Sequence, residues 1–233
     1  MTIGKILSTQ PNGNVVFSLI NVKHAFGLAM LGADKETANS LAKLIGYHDK
    51  PHECLTFLKE KLEDFAKLDS VKQSAGVFVN DKCNLKTTYS ESVSRELGSI
   101  ADSIDVSNAT KAANKINDWV KVRTSNKIND LIKPDAISEL TVAILLSTTL
   151  FKGNWAEQFE KVTDIDTFHT PKGKVKAEFM QLKKKNHFSV SIQDSLTMVS
   201  VPYNYEMMMT ILMPEFGGLD KLEVCLAFYM WLT

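Results

Sequence analysis

The residues of this chain that could act as nucleophiles, bases or metal ligands are few and widely spaced. His48 and His52 are four residues apart, a spacing that would present both rings to one metal ion on a helix. Pro51 lies between them and would interrupt such a helix, so the pair predicts a surface turn. The remaining candidates are three histidines and three cysteines: His24, His169, His187, Cys54, Cys83 and Cys225.

No catalytic or cofactor motif contains these residues. The chain has no G-x-S-x-G turn, no phosphate-binding glycine loop, no H-E-x-x-H and no C-x-x-C pair. His24 lies close to Ser18 in sequence, but no acidic residue completes a triad, and a structural histidine is the favoured interpretation. The cysteines are interpreted as small buried hydrophobic residues. The sequence therefore predicts a protein that is not an enzyme and that holds no cofactor and no metal.

Composition argues against two classes of partner. The 27 basic and 27 acidic residues give a formal net charge of zero, so there is no electrostatic footprint for nucleic acid. No apolar run approaches the length that spans a bilayer. Hydrophobic residues make up 44% of the chain, which is typical of a soluble globular protein. We expect neither a nucleic-acid partner nor a membrane partner.

Helical periodicity dominates the first half of the chain. Asn21 and Asp34 are predicted N-caps, and Gly46 is predicted to follow a helix C-cap. The segment "VVFSLI" predicts a short buried strand, and "SAGVFVND" predicts a strand that stops at Asn80. Apolar spacing predicts helices over residues 21–32, 34–46, 52–68 and 109–123.

Strands predominate after residue 140. The segment "LTVAILLSTTL" shows almost no alternation of polar and apolar residues, which predicts a strand covered on both faces. Beyond residue 165 the pattern predicts several mostly antiparallel strands. Helices followed by strands are typical of an α+β protein. The absence of repeats and of a low-complexity linker favours one domain over residues 1–233.

The order of the segments resembles that of the serpins, the serine-protease-inhibitor superfamily. Three motifs within it are similar to family motifs: Lys115 to Val120, Thr124 to Ile128, and Phe151 to Trp155. The resemblance covers nearly all of the chain. The segments, in order, are "NVVFS", "GADKETANSLAKLIG", "NKINDWVKVRTSNKINDLI", "LLSTTLFKGNWAEQF", "VPYNYEMMMTILMP" and "GGLDKLE".

The resemblance implies an incomplete serpin-like fold, with N-terminal helices on a large mixed sheet and smaller antiparallel sheets. Trp155 would lie at the end of a central strand, after Lys152 and Gly153, near the place where serpins accept an inserted strand. Phe159 would pack beside Trp155. The helix that carries Trp119 would lie across the front of the sheet, where core packing is the favoured role for Trp119.

Three positions depart from the family pattern. A proline usually follows the serine at Ser18, where this chain has Leu19. A serine is usual at Asn21, and an asparagine is common at Ser147. The resemblance places Ser18, Asn21 and Ser147 in a polar cluster beneath the sheet that governs its opening, so these replacements predict altered opening.

The resemblance implies a serine protease as partner. In serpins the protease attacks an exposed bait loop, and the cleaved loop inserts into the large sheet as a new strand. Relative to the family, the 233 residues stop before that loop and begin late, so we expect the chain itself to be truncated and non-inhibitory. The alternative is an interaction protein that binds a protein partner through an exposed sheet edge.

The compartment has two interpretations. The family resemblance implies secretion, whereas the start of the chain carries no signal peptide, which leaves the cytoplasm as the alternative. Asn108-Ala109-Thr110 is a glycosylation sequon that has meaning only in a secreted chain.

Overall fold

The computed structural model describes residues 16–47, 50–163, 166–170, 172–182, 189–193, 196–204 and 207–214. The described residues fall into two compact units, which meet in the chain between Lys152 and Gly153. That the 233 residues form one domain stays a prediction.

The first unit alternates helices with the strands of one sheet. Its helices are α1 (Leu19–Gly32), α2 (Lys35–Leu44), α3 (Pro51–Ala66), α4 (Thr87–Leu97) and α5 (Ala109–Arg123). Its strands are β1 (Val71–Asn80), β2 (Ile100–Ile104) and β3 (Ala143–Phe151), and a short 3₁₀ turn covers Pro134–Ala136.

The sheet of the first unit is mixed. Its strand order is β2-β1-β3, with β1 parallel to β2 and antiparallel to β3. Phe78, Ile144 and Leu146 pack with α5 on one face. Ala75 and Val77 pack with α1, α3 and α4 on the other face. The weak alternation along β3 is explained by this cover on both faces.

Helix caps account for most helix boundaries in the first unit. The Asp34 carboxylate accepts a hydrogen bond from the N–H of Thr37 at 2.8 Å and begins α2. Gly46 follows the end of α2 with φ +94°, a conformation that glycine adopts without a Cβ penalty. Pro51 is the first residue of α3, a position where its missing N–H is not needed. His52 therefore lies in a helix rather than in the predicted turn, and His48 lies outside the described residues.

The predicted strand over residues 15–20 is wrong for its described part. Ser18 is extended and caps α1, which begins at Leu19, while Val16 is 95% exposed. Asn21 is therefore the third residue of the helix rather than its cap. The apolar pair Leu19-Ile20 fits either a strand or the first turn of a buried helix, so local pattern could not decide between them.

The second unit consists of small antiparallel sheets. The strands of these sheets are β4 (Glu160–Lys161), β5 (Asp166–Thr170), β6 (Gly173–Ala177), β7 (Met180–Gln181), β8 (Ser189–Gln193), β9 (Leu196–Pro202) and β10 (Met208–Pro214). They pair as β4-β7, β5-β6 and β10-β9-β8. None of the described helices is long and apolar enough to cross a membrane.

Candidate functional site beneath the sheet

A polar cluster lies between the start of α1 and the strands β1 and β3. The side-chain oxygen of Asn21 accepts a hydrogen bond from the hydroxyl of Thr149 at 2.5 Å. The same oxygen accepts a second bond from the amide nitrogen of Gln73 at 3.3 Å. Gln73 and Thr149 are direct partners in the β1–β3 register. One amide oxygen therefore joins α1 to both strands.

Local structure positions this amide. The Ser18 hydroxyl accepts a hydrogen bond from the N–H of Asn21 at 3.3 Å, which fixes the first turn of α1. Side chains of residues that are opposite in a β pair lie on the same face of the sheet, so Gln73 and Thr149 reach the helix together. Ser18 acts as a helix cap, and Asn21 makes the cross-strand contact.

Ser147 lies on the same face as Thr149, because the two are separated by two residues in one strand. It is paired in register with Ala75. Its buried hydroxyl has no hydrogen-bond partner among the described residues. A buried hydroxyl in that condition costs about 1–3 kcal/mol. The cluster thus holds the two strands together through Asn21 and gains nothing from Ser147.

Trp119 lies on the opposite face of the sheet. Its ring meets the ring of Phe78 edge-on, with centroids 5.6 Å apart and an interplanar angle of 78°. The guanidinium of Arg123 lies 5.9 Å from the centroid of the Trp119 ring. These contacts are those of core packing between α5 and β1. The α5 helix therefore rests on the sheet, as the resemblance implies.

The aromatic group around Trp155 lies in the second unit. The ring of Trp155 stacks on Tyr203 at 4.2 Å and meets Phe159 edge-on at 5.4 Å. The N–H of Ala156 donates to the carbonyl of Pro202 at 3.0 Å, so the two short segments are also held by backbone. A role for Trp155 and Phe159 in sheet opening stays a prediction.

Lys152 and Gly153 connect the two units in sequence. The backbone N–H of Lys152 donates to the carbonyl of Ser70 at 2.8 Å, immediately beyond the last register pair of β1 and β3. Gly153 is half-buried. Among the described residues β3 has no strand on its other side, so its position as a central strand stays a prediction.

Asn108 begins α5. Its side-chain oxygen accepts a hydrogen bond from the N–H of Lys111 at 3.0 Å, and the residue is exposed. The cap uses the oxygen of the amide, whereas a glycan is attached to the nitrogen. The sequon geometry is thus compatible with modification.

The described cysteines are not organised for catalysis. Cys54 and Cys83 are both free thiols. Burial raises the pKa of the Cys54 thiol to about 11, against a smaller lowering by Lys23, so the reactive thiolate is disfavoured. No group of three or more His, Cys, Asp or Glu residues in the described ranges could hold a metal ion.

Sequence reasoning missed Gln73 and Thr149. Thr149 was detectable, since it is two residues from Ser147 in a predicted strand and therefore lies on the same face. Gln73 carries no comparable signal, because its contact with Asn21 spans 52 residues of chain.

The likeness of this chain to known proteins extends over almost its whole length. A family model described as Serpin (serine protease inhibitor) matches residues 2–232. The chain belongs to the serpin family, and the predicted family and fold class are confirmed. The family is described as one of serine protease inhibitors, which are not enzymes.

Individual relatives agree with this assignment. Antichymotrypsin-2 of Bombyx mori is 29% identical over 229 residues, which cover 95% of this chain and 60% of the relative. Serpin-Z7 of Hordeum vulgare is 30% identical over 242 residues, with the same two coverages of 95% and 60%. The solved structure of cleaved Serpin 42Da has a TM-score of 0.87 and 29% identity, covering 97% of this chain and 62% of that one. The chain spans about 60% of the length of these curated relatives.

Proposed function

We propose that these 233 residues form the openable sheet of a serpin-type inhibitor of serine proteases and do not inhibit a protease by themselves. The observation that carries this proposal is the single side-chain amide of Asn21, which joins β1 and β3 to α1. This amide thus holds β3, whose outer edge has no strand partner among the described residues, against α1. Family membership supplies the activity that such a sheet serves.

The proposed mechanism follows from family membership. A serine protease attacks a bait loop and becomes linked to it as an acyl-enzyme. The cleaved loop then enters the sheet beside β3, whose outer edge has no strand partner among the described residues. Entry satisfies unpaired backbone groups and releases stored strain, which removes the protease from its productive geometry.

The test combines two measurements on the 233-residue polypeptide. A synthetic peptide of small and β-branched residues, at least as long as the nine residues of β3, is added to imitate the inserted strand. We expect it to raise the unfolding temperature, because a ligand of the folded state stabilises that state. Incubation with trypsin, chymotrypsin or elastase is expected to give no complex that survives SDS.

Two controls sharpen the result. A peptide of the same length with alternate residues replaced by proline cannot pair and should have no effect. Asn21→Ala should accelerate peptide uptake, whereas Asn114→Ala on the exposed side of α5 should leave it unchanged. A peptide without effect would overturn the scaffold proposal, and an SDS-stable protease complex would overturn the non-inhibitory part.

The second candidate is a protein-binding function through the edge of β3. It is favoured by the same edge of β3, which has no neighbouring strand in the described part of the chain, since an open strand edge is a template for another chain. The peptide experiment separates the two candidates. Both candidates place the peptide beside β3. Uptake that Asn21→Ala accelerates indicates that β3 must move away from α1 before the strand is added, as sheet opening requires. Uptake that ignores this substitution indicates pairing at an edge that does not move.

Secretion is part of the inhibitor proposal. It is supported by the exposed position of Asn108, whose capping bond uses the amide oxygen and not the nitrogen to which a glycan is attached. The cytoplasmic alternative suits the free Cys54 and Cys83 thiols, which are usual where thiols are kept reduced.

A further inference from the structure

The sheet of the first unit has two outer strands, β2 and β3, and their outer sides are not alike. In the order β2-β1-β3, each of them pairs with β1 alone among the described residues. An outer strand presents backbone N–H and C=O groups to which a further strand could be added, and proteins commonly cover such an edge with charged side chains. Which edge accepts a strand therefore depends on what covers its backbone groups.

The backbone of Ser103 faces the outer side of β2. The carbonyl of its neighbour Ile104 accepts a hydrogen bond at 2.9 Å from the N–H of Asp81, the residue that follows β1. The backbone groups of successive strand residues point to alternate sides, so those of Ile104 face β1 and those of Ser103 face outward. Of the five residues of β2, only Ala101 shares this outward direction with Ser103.

Two charged side chains cover the outward backbone groups of Ser103. The Oδ1 atom of Asp102 accepts a hydrogen bond from the N–H of Ser103 at 2.8 Å. The ammonium group of Lys115, on α5, donates to the carbonyl of Ser103 at 2.8 Å. The Nζ atom of Lys115 also lies 2.6 Å from Oδ2 of Asp102, so the two side chains form an ion pair across the edge. We call this pair the edge clamp.

The fold brings the two members of the edge clamp together. Asp102 is in register with Phe78, which packs with α5, so Asp102 lies on the face of the sheet that α5 covers. The side chains of Asp102 and Lys115 are each 45% exposed. An ion pair with this exposure contributes little to stability. The edge clamp can therefore be removed without unfolding the first unit.

The edge of β3 differs in length and in cover. It is in register with β1 over nine residues, whereas β2 is in register over five. Along Ala143–Leu150 no described side chain bonds to the backbone of the strand. On β2, with Ser103 covered, only Ala101 is left to pair, and one residue does not make a ladder. A strand added beside β3 thus finds more backbone partners and no competing side chain.

We propose that Asp102 and Lys115 close the edge of β2 to strand addition, so that β3 is the edge at which this sheet takes up a strand. This inference rests on the proposed function, because it concerns the side of the sheet to which the strand is added. Its test reads contacts of β2, whereas the proposed function is tested at β3, so either can fail without the other.

The test locates the strand peptide described above by NMR. The 233-residue chain is labelled with ²H and ¹⁵N, and nuclear Overhauser effects from its amide protons to the unlabelled peptide report only direct neighbours. In the natural chain we expect such effects from β3 and none from β2. The double variant Asp102→Ala with Lys115→Met removes the edge clamp and keeps most of the length of the lysine side chain. We expect it to show effects from β2 and to bind a second peptide.

Two further variants control the comparison. Lys121→Ala removes another exposed lysine of α5 and should behave like the natural chain. Lys115→Met alone frees the carbonyl of Ser103 but leaves its N–H bonded to Asp102. Since one hydrogen bond fewer is available, the peptide should bind at β2 about fivefold more weakly than in the double variant.

The outcome at β2 decides the proposal, whatever the peptide does at β3. Contacts with β2 in the natural chain would overturn it, and so would the absence of contacts with β2 in the double variant. Circular dichroism verifies the fold of each variant. If the double variant does not fold, Lys115→Met decides by the same criterion. Contacts with β2 in the variants but with β3 in no protein would support the edge clamp and overturn the proposed function.

Discussion

At the scale of single residues, the buried His24 and the half-buried Asn21 have different effects on the first unit. Asn21 satisfies its own oxygen twice and connects three elements. His24, one helical turn further along α1, is held neutral by burial and leaves one nitrogen without a partner among the described residues. The first residue ties the sheet to the helix, and the second makes the same helix sensitive to acid.

The pH dependence of stability follows from His24. Its pKa is about 4 in the folded chain against 6.5 for the unperturbed group, so between these values the unfolded chain binds a proton that the folded chain does not. Its contribution is complete above pH 6.5, falls as the pH drops towards 4 and then levels off. From pH 7 to pH 5 this amounts to about 2 kcal/mol of unfolding free energy.

Urea unfolding at pH 7 and pH 5 measures the effect. The loss of unfolding free energy should be about 2 kcal/mol larger in the natural chain than in His24→Gln, which cannot titrate. The charged neighbours of His24 are the same in both proteins, so they contribute equally to the two pH dependences. These neighbours, which border the same pocket as His24, are Lys59, Glu63, Arg95 and Glu96. His52→Gln, at an exposed histidine, should behave like the natural chain. Equal pH dependence in the His24 variant would contradict the assignment.

The site was predictable from sequence only where family pattern marked a position. Ser18, Asn21 and Ser147 were identified by comparison with that pattern, and Asn21 does contact the two strands. Its partner Thr149 is 128 residues away, a distance over which propensity and periodicity carry no information. The unsatisfied state of Ser147 also depends on neighbours that only the fold supplies.

At the scale of elements, Asn117 joins α5 to the segment of chain that follows it. The side-chain oxygen of Asn117 accepts hydrogen bonds from the N–H groups of Leu131 at 3.0 Å and Ile132 at 2.9 Å. Its nitrogen donates to the carbonyl of Ile132 at 2.8 Å. This segment leads to β3, so Asn117 couples the helix on the sheet to the strand beneath it.

Asn117→Ala should lower the unfolding free energy by about 2–3 kcal/mol. Three hydrogen bonds are lost, and the backbone groups of residues 131 and 132 that made them are left to form hydrogen bonds with water instead. Asn114→Ala lies on an exposed position of the same helix and should change stability by less than about 0.5 kcal/mol. Urea unfolding of both variants at pH 7 makes the comparison. Similar losses in the two proteins would show that the side-chain bonds of Asn117 do not hold α5 in place.

Elements were predictable where local chemistry alone determines them. Asp34 and Gly46 mark the two ends of α2. Asp34 caps its start through its side chain, and Gly46 follows its end with a positive φ, and both features depend only on adjacent residues. The start of α1 was not predictable in this way. That helix packs on α2, α3, α4 and the sheet, so it lacks a clear polar face, and its periodic signal is weak.

At the scale of the whole molecule, buried apolar surface is distributed unevenly. Among the described residues every fully buried hydrophobic side chain belongs to the first unit except Val201. In the second unit Phe168, Met180, Met208 and Met213 are each at least half exposed. In the methionine run 207–209, Met208 and Met209 are exposed and Met207 is half-buried.

This distribution predicts that the two units open with different free energies. Local opening is governed by the apolar surface that must be exposed, so amides of β1 should exchange with deuterium more slowly than amides of β5, β6 and β10. We expect a difference of at least about tenfold in protection factor, since burial of one large apolar side chain contributes about 1.5–3 kcal/mol. Exchange measured by mass spectrometry at two pH values verifies that opening, and not intrinsic chemistry, sets the rates. Uniform protection across both units would mean that they unfold as one cooperative body, and the exposed strands of the second unit would then owe their stability to the first.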